Sequence, residues 1–156
     1  MGERAPHWNP QAKGGFIGLT IKHQHSHLLR AVMEGVSFNL RMILEAFLEQ
    51  GAKLDEMIMI GGGAKGQLWR QIMADIYKKK ILIPNYLDEA TSMGAALTGG
   101  VGVGLYEDFD FVHEMLNIEK RVNPNEDNFE TYDELFEIFK KSYNSLEDIF
   151  SDLHKL

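Results

Sequence analysis

Three consecutive glycines follow four apolar residues in the stretch Met57-Ile58-Met59-Ile60-Gly61-Gly62-Gly63-Ala64-Lys65-Gly66-Gln67. An amphipathic run then starts at Leu68 and continues to Tyr77. The pattern predicts a buried strand, a tight turn and a helix. Glycines at such a turn let a ligand approach bare main chain, and the N–H groups that open a helix favour anions. The chemistry on offer is phosphate or nucleotide binding. The plain alternative is a tight connection that binds nothing.

Two literal motifs overlap this turn. Gly61, Gly63 and Gly66 match the dinucleotide pattern G-x-G-x-x-G, a weak signal when it stands alone. That fold needs an acidic side chain about 20 residues on, at the end of the next strand, to hold a ribose. Here the next strand-like run, Ile81-Leu82-Ile83, ends in Pro84-Asn85, and Asp88 and Glu89 lie nearer a helix start. The P-loop spacing is present from Gly61 to Gly66, but Gln67 and Leu68 replace its Lys and Ser/Thr. That leaves no ammonium for phosphates and no hydroxyl for magnesium.

Two other clusters could do chemistry. His23, His25 and His27 alternate in His-Gln-His-Ser-His, and clustered imidazoles can bind a metal. Without cysteine or an H-E-x-x-H pattern, a solvated loop or helix entry is the simpler reading. Lys78, Lys79 and Lys80 suit a helix C-terminus, where the dipole favours cations.

These residues need elements to hold them. A helix is expected from Ser26 or His27, with Ser26 as N-cap, to a left-handed cap at Gly51. Its stripe of Leu29, Val32, Val36, Leu40, Ile43 and Phe47, widened by Leu28, Met33, Leu44 and Leu48, predicts a buried face. Gly35 in its interior would allow close approach of another backbone. Phe16–Ile21 reads as a short strand, and Trp8 and Phe16 as ordinary core aromatics. A small-faced helix is expected from about Asp88, carrying Ala90, Gly94, Ala95, Thr98 and Gly99, which would pack closely on a neighbour. Residues 106–125 read as an acidic connection. A last helix runs from about Asp127 to Leu153, with a seam that includes Tyr132, Phe136, Phe139, Tyr143 and Phe150. Helices alternating with strands argue for a parallel α/β unit.

The 156 residues fit one domain, and a formal charge of −7 argues against bulk attraction to nucleic acid or an anionic membrane. There is no cysteine, hence no disulfide framework. No signal peptide opens the chain, and Met93–Leu105 is too short and too glycine-rich to span a bilayer. A cytoplasmic protein is expected.

Taken in order, longer motifs resemble one family. Gly2-Glu3-Arg4-Ala5-Pro6-His7-Trp8-Asn9-Pro10, Gly15-Phe16-Ile17-Gly18-Leu19-Thr20 and Arg30-Ala31-Val32-Met33-Glu34-Gly35-Val36 resemble the C-terminal lobe of the FGGY carbohydrate kinases. Gly61-Gly62-Gly63-Ala64-Lys65, Leu68-Trp69-Arg70-Gln71-Ile72, Glu89-Ala90 and Gly94-Ala95-Ala96 follow in the right order. The resemblance covers nearly the whole chain. Gly-Glu-Arg-Ala-Pro together with Gly-Gly-Gly-Ala-Lys is most similar to the xylulokinases.

The resemblance implies an α/β fold, a ribonuclease-H-like (actin/hexokinase-like ATPase) C-terminal lobe, incomplete, with a long C-terminal helix. It implies ATP and Mg2+ as cofactors and a sugar substrate. By position, Gly61, Gly62, Gly63 and Ala64 would line adenosine through their backbone, and Gln67 would stand near the adenine. The helix from about Thr91 to Gly99 would be a hinge between lobes. The catalytic aspartate, the sugar pocket and most phosphate contacts belong to an N-terminal lobe, so residues 1–156 are expected to be part of a longer kinase, without catalytic residues of their own. Apolar surface meant for the missing part could drive homodimer formation. A dinucleotide-binding oxidoreductase using the same glycines, and an interaction module using the last helix, are the competing classes.

Overall fold

The computed structural model describes residues 2–156. In chain order the elements are α1 (His25–Glu49), β1 (Glu56–Ile58), a 3-10 turn (Gly62–Lys65), α2 (Gln67–Tyr77), β2 (Lys80–Pro84), α3 (Ala90–Gly102), α4 (Val112–Met115), β3 (Ile118–Val122) and α5 (Phe129–His154). They form two compact units. One holds the residues up to Lys53 together with Glu126–Leu156, and the other is Leu54–Asn125. Among the described residues no helix is long and apolar enough to cross a membrane.

The first unit is a pair of long helices with an N-terminal loop. Helix α1 begins at His25, one residue before the expected cap, because His27 Nδ1 accepts the Gln24 N–H at 2.9 Å. It ends as expected at Gly51, whose φ of +89° lets Ala52 N–H reach Phe47 O at 3.1 Å and Gly51 N–H reach Leu48 O at 2.9 Å. Phe38 on α1 packs among Tyr132, Phe136 and Phe139 of α5, with ring centroids 6.0, 5.8 and 5.6 Å away. Arg41 lies over the Phe136 ring at 4.3 Å and donates to Asp133 Oδ1 at 2.8 Å. The loop folds back on itself where Glu3 N–H meets Asn9 O at 2.8 Å. Asn9 Nδ2 then donates to the Tyr143 hydroxyl at 2.9 Å, and the His7 ring stacks on Tyr143 at 4.0 Å.

Four expectations for this unit fail in whole or in part. Of the expected stripe Leu44 is buried, but Leu29, Val32, Val36, Leu40 and Phe47 are exposed, and the other buried residues, Ser37 and Phe38, lie off it. Helix α1 is apolar on more than one side, and α5 covers the side of Phe38. Phe16–Ile21 forms no strand. Gly18 turns there with φ +81°, and Ile17, Leu19 and Ile21 stay exposed. Trp8, 75% exposed, and Phe16 are not core residues. Nothing lies within 4 Å of a Cβ built on Gly35, so no backbone uses that space.

The second unit is a three-stranded sheet of order β1-β2-β3. β1 and β2 are parallel, with Met57 opposite Ile81, as the strand–helix–strand pattern requires. β2 is central: Ile81, Leu82 and Ile83 are buried, as are Ile72, Met73, Ala74, Ile76 and Tyr77 of α2, with Ala64 and Leu97. The acidic connection, expected to be irregular, contains a strand, β3. β3 pairs antiparallel to β2, with Leu82 opposite Arg121. Pro84 falls at an irregularity in that pairing, where a missing N–H costs no ladder bond. Helix α3 packs at Gly100, where Tyr106 crosses, while Gly94, Ala95, Thr98 and Gly99 remain exposed instead of packing on a neighbour.

Candidate nucleotide site

The glycine turn joins β1 to α2 within the second unit. Met59 N–H carries the β1 ladder one step further by donating to Leu82 O at 2.9 Å. Gly61 then adopts φ +78° and ψ −170°, a conformation essentially restricted to glycine. Its N–H donates to Leu87 O at 3.2 Å, in the loop that follows β2. Gly62–Lys65 make one 3-10 turn, closed by Ala64 N–H on Gly61 O at 3.0 Å. Gly66 is the N-cap of α2, and Arg70 N–H returns to Gly66 O at 3.1 Å.

The five expected site residues occupy different surroundings. A Cβ built on Gly61 or Gly62 meets nothing within 4 Å, so the main chain there is open. A Cβ on Gly63 would lie 3.3 Å from Met59 Cε and 3.4 Å from Trp69 Cζ3, so that side of the turn is packed. Ala64 is 0% exposed, and its carbonyl accepts from Nε of the buried Arg70. It therefore helps to fix the shape of the turn. Gln67 is exposed as the first residue of α2.

Two contacts here were not legible in the sequence. Arg70 sits on the buried side of α2 and braces the turn from beneath. Lys65 Nζ lies 2.6 Å from Asp88 Oδ1 and 2.7 Å from Asp88 Oδ2, joining the turn to the β2–α3 loop. Asp88 is the acid nearest to the place where a dinucleotide fold needs a ribose ligand, and it is engaged by Lys65 instead.

The histidines do other work. His23 Nδ1 accepts the Thr20 N–H at 2.9 Å, and His27 Nδ1 accepts the Gln24 N–H at 2.9 Å. Both rings spend one nitrogen on capping backbone. Among the described residues no group of three or more His, Cys, Asp or Glu is placed to hold a metal ion.

Burial shifts two phenols. Tyr132, which accepts from Arg30 Nη2 at 2.9 Å and donates to Glu34 Oε1 at 3.0 Å, has its pKa pushed up to about 12 by burial, with the Glu34 charge adding to the effect. Burial also raises Tyr77 on α2. Neither lies in the glycine turn.

Residues 1–103 match the model of the FGGY family of carbohydrate kinases, C-terminal domain. The chain is 35% identical over 153 residues to a gluconokinase of Bacillus subtilis, covering 97% of this chain and 30% of the relative. It is 34% identical over 151 residues to a xylulose kinase of the same organism, covering 96% and 30%. The solved structure of ligand-bound xylulose kinase from Lactobacillus acidophilus superposes with a TM-score of 0.84 at 30% identity, over 97% of this chain and 31% of that one. The chain thus spans about three-tenths of the length of the curated relatives it matches. The fold is mixed α/β, part of a ribonuclease-H-like ATPase fold with a long C-terminal helix. On the strength of the family model and these relatives, the chain belongs to the FGGY family of carbohydrate kinases.

Proposed function

We infer that this chain is the nucleotide-binding C-terminal part of an ATP-dependent sugar kinase whose acceptor is D-xylulose. The observation that carries the reading is the open main chain at Gly61 and Gly62, placed directly after a parallel strand. Adenosine would lie against that backbone, with the Gln67 side chain near the adenine. Gly63 and Ala64 would hold the turn in shape from its packed side. α3 exposes Gly94 and Gly99 and would act as the hinge on which lobes close. Transfer of the γ-phosphoryl group needs an aspartate to take the hydroxyl proton and donors around the spread charge. Those groups are assigned to an N-terminal lobe outside these residues. Mg2+ would accompany ATP, but the carboxylates and imidazoles described here form no metal cluster, so its protein ligands are not assigned to this chain.

D-Xylulose is favoured by the pairing of Gly2-Glu3-Arg4-Ala5-Pro6 with Gly61-Gly62-Gly63-Ala64-Lys65. D-Gluconate is the second reading, because a gluconokinase matches the chain as well as a xylulose kinase does. The test is a coupled assay for ADP release with D-xylulose, D-gluconate, D-ribulose and glycerol. It is run on the 156-residue chain and on the longer polypeptide that carries it. The longer protein is expected to phosphorylate D-xylulose fastest, and the chain alone to be inactive. Turnover by the chain alone refutes the division of labour. Preference for gluconate moves the substrate to the second reading, and no turnover of any acceptor by the longer protein refutes the kinase reading itself.

A further inference from the structure

We propose that Lys65 and Asp88 are a positioning pair that staples the β2–α3 loop to the glycine turn and thereby sets nucleotide affinity. The proposal rests on the reading of that turn as the adenosine seat.

Lys65 ends the 3-10 turn, and its ammonium meets both oxygens of Asp88, at 2.6 and 2.7 Å. One residue earlier in the same loop, Leu87 O accepts the Gly61 N–H at 3.2 Å. The near end of the loop is tied as well. Asn85 N–H donates to Asn117 O at 2.8 Å, and Asn117 N–H donates to Asn85 Oδ1 at 2.9 Å. Between these ties Tyr86 stands exposed with φ +58°. A bulky side chain persists in the left-handed region only where its surroundings fix the chain. The loop is therefore fastened on both sides of Tyr86, and one fastening lies against the open backbone of Gly61.

The pair is poorly placed to serve folding. Both side chains are more than half exposed, at 55% and 64%, where ion pairs contribute little to stability. It is also poorly placed to attract phosphate, because the lysine charge is matched by a carboxylate at contact distance. What the pair does determine is how closely the loop approaches Gly61.

These roles separate in one set of measurements on the 156-residue chain. Amide NMR titrations with ATP and with adenosine are run on wild type, Lys65→Ala, Asp88→Ala, Lys65→Arg, the swap Lys65→Asp/Asp88→Lys, and Gly62→Val. Hydrogen exchange of the Gly61 amide is measured in each. Wild type is expected to show saturable shifts at Gly61–Gly63, and Gly62→Val to lose them while staying folded. Each alanine variant should weaken ATP and adenosine alike by about threefold to fivefold and speed Gly61 exchange by a similar factor. The swap and Lys65→Arg should return both to within about twofold of wild type.

Unchanged affinity in the alanine variants, or no rescue by the swap, overturns the proposal. So does the pattern of a direct phosphate ligand, in which Asp88→Ala tightens ATP and leaves adenosine unchanged. If wild type shows no saturable shift at the turn, the adenosine reading fails and the claim on affinity fails with it. Gly61 exchange then decides the staple alone, and equal protection in wild type and both alanine variants overturns it.

Discussion

The carboxylate of Asp75, 2% exposed on α2, accepts the backbone N–H of Asn125 at 2.8 Å through Oδ1, the same oxygen that accepts from Gln71 Nε2 at 2.7 Å. Gln71 Nε2 also donates to Asn123 O at 3.0 Å. Together they fasten the chain leaving β3 to the helix that follows the glycine turn. Removing a buried acceptor leaves its donors unsatisfied, at about 1–3 kcal/mol each. Asp75→Ala is therefore expected to lower the unfolding free energy by about 2–4 kcal/mol in urea, and Asp75→Asn, which keeps an oxygen, by less. Equal losses for the two would show that the oxygen does not carry the tie.

Gly62→Val tests the open turn. A Cβ at Gly62 meets nothing, and its φ lies outside the left-handed region, so the valine should cost under about 1 kcal/mol. Its branches would fill the space assigned to adenosine. In the longer kinase proposed above the expected result is a KM for ATP raised by tenfold or more with Tm nearly unchanged. An unchanged KM would remove adenosine from this turn.

Gly100 is the opposite case. A Cβ there would lie 2.4 Å from Tyr106 Cδ2, and that ring is stacked on Phe111 with centroids 4.3 Å apart. The ring cannot retreat without leaving Phe111, so Gly100→Ala is expected to destabilise by about 1–3 kcal/mol. Adding Tyr106→Ala should recover part of that loss, because the clash disappears. Strict additivity of the two changes in a double-mutant cycle would contradict the contact.

The parts of the fold legible in the sequence are those carried by local pattern. The turn, α2 and β2 stand close to where glycine placement and apolar spacing put them, because each is specified within about ten residues. β3 was hidden because only its end residues, Ile118 and Val122, are even partly buried, while Glu119, Lys120 and Arg121 are exposed. Its pairing with β2 is long-range and leaves no alternation to read. Helix α1 lies where its periodicity puts it, but of its apolar stripe only Leu44 is buried, and Phe38 beside the stripe is the covered aromatic. Periodicity identifies which residues are apolar, and only the partner decides which of them are covered. Lys65 and Asp88 are 23 residues apart, and no spacing rule links a turn to the loop after the next strand.

Val32, Leu40 and Phe47 are exposed on α1, whereas Phe38 is buried against α5. Val32→Ser and Leu40→Ser in the isolated chain are expected to change its unfolding free energy by less than about 0.5 kcal/mol, and Phe38→Ala to lower it by about 3–5 kcal/mol. Light scattering should show less self-association in the two serine variants, because exposed apolar surface is what drives it. Large losses in the serine variants would mean that this side of α1 is covered in solution.

The shared oxygen of Glu34 gives the last test. Arg30 Nε reaches Glu34 Oε1 at 2.7 Å, and the Tyr132 hydroxyl donates to the same atom at 3.0 Å. With the phenol largely withdrawn from water beside that carboxylate, its pKa rises from 10.0 to about 12. The unfolded phenol loses its proton near 10 and the folded one near 12, so between these values the unfolded chain binds fewer protons. Stability from this group is intact below pH 10 and falls as pH rises toward 12, at up to about 1.4 kcal/mol per pH unit. Tyr77, raised by burial alone, acts with the same sign. Comparing wild type with Tyr132→Phe isolates the first group, since the variant keeps Tyr77 and every lysine. Wild type should be the more stable at pH 8, by the hydrogen bonds to Arg30 and Glu34, and its advantage should shrink between pH 10 and 11.5. An advantage that stays constant across that range would mean Tyr132 titrates no differently folded than unfolded, and the buried hydrogen-bonded placement described here would be wrong.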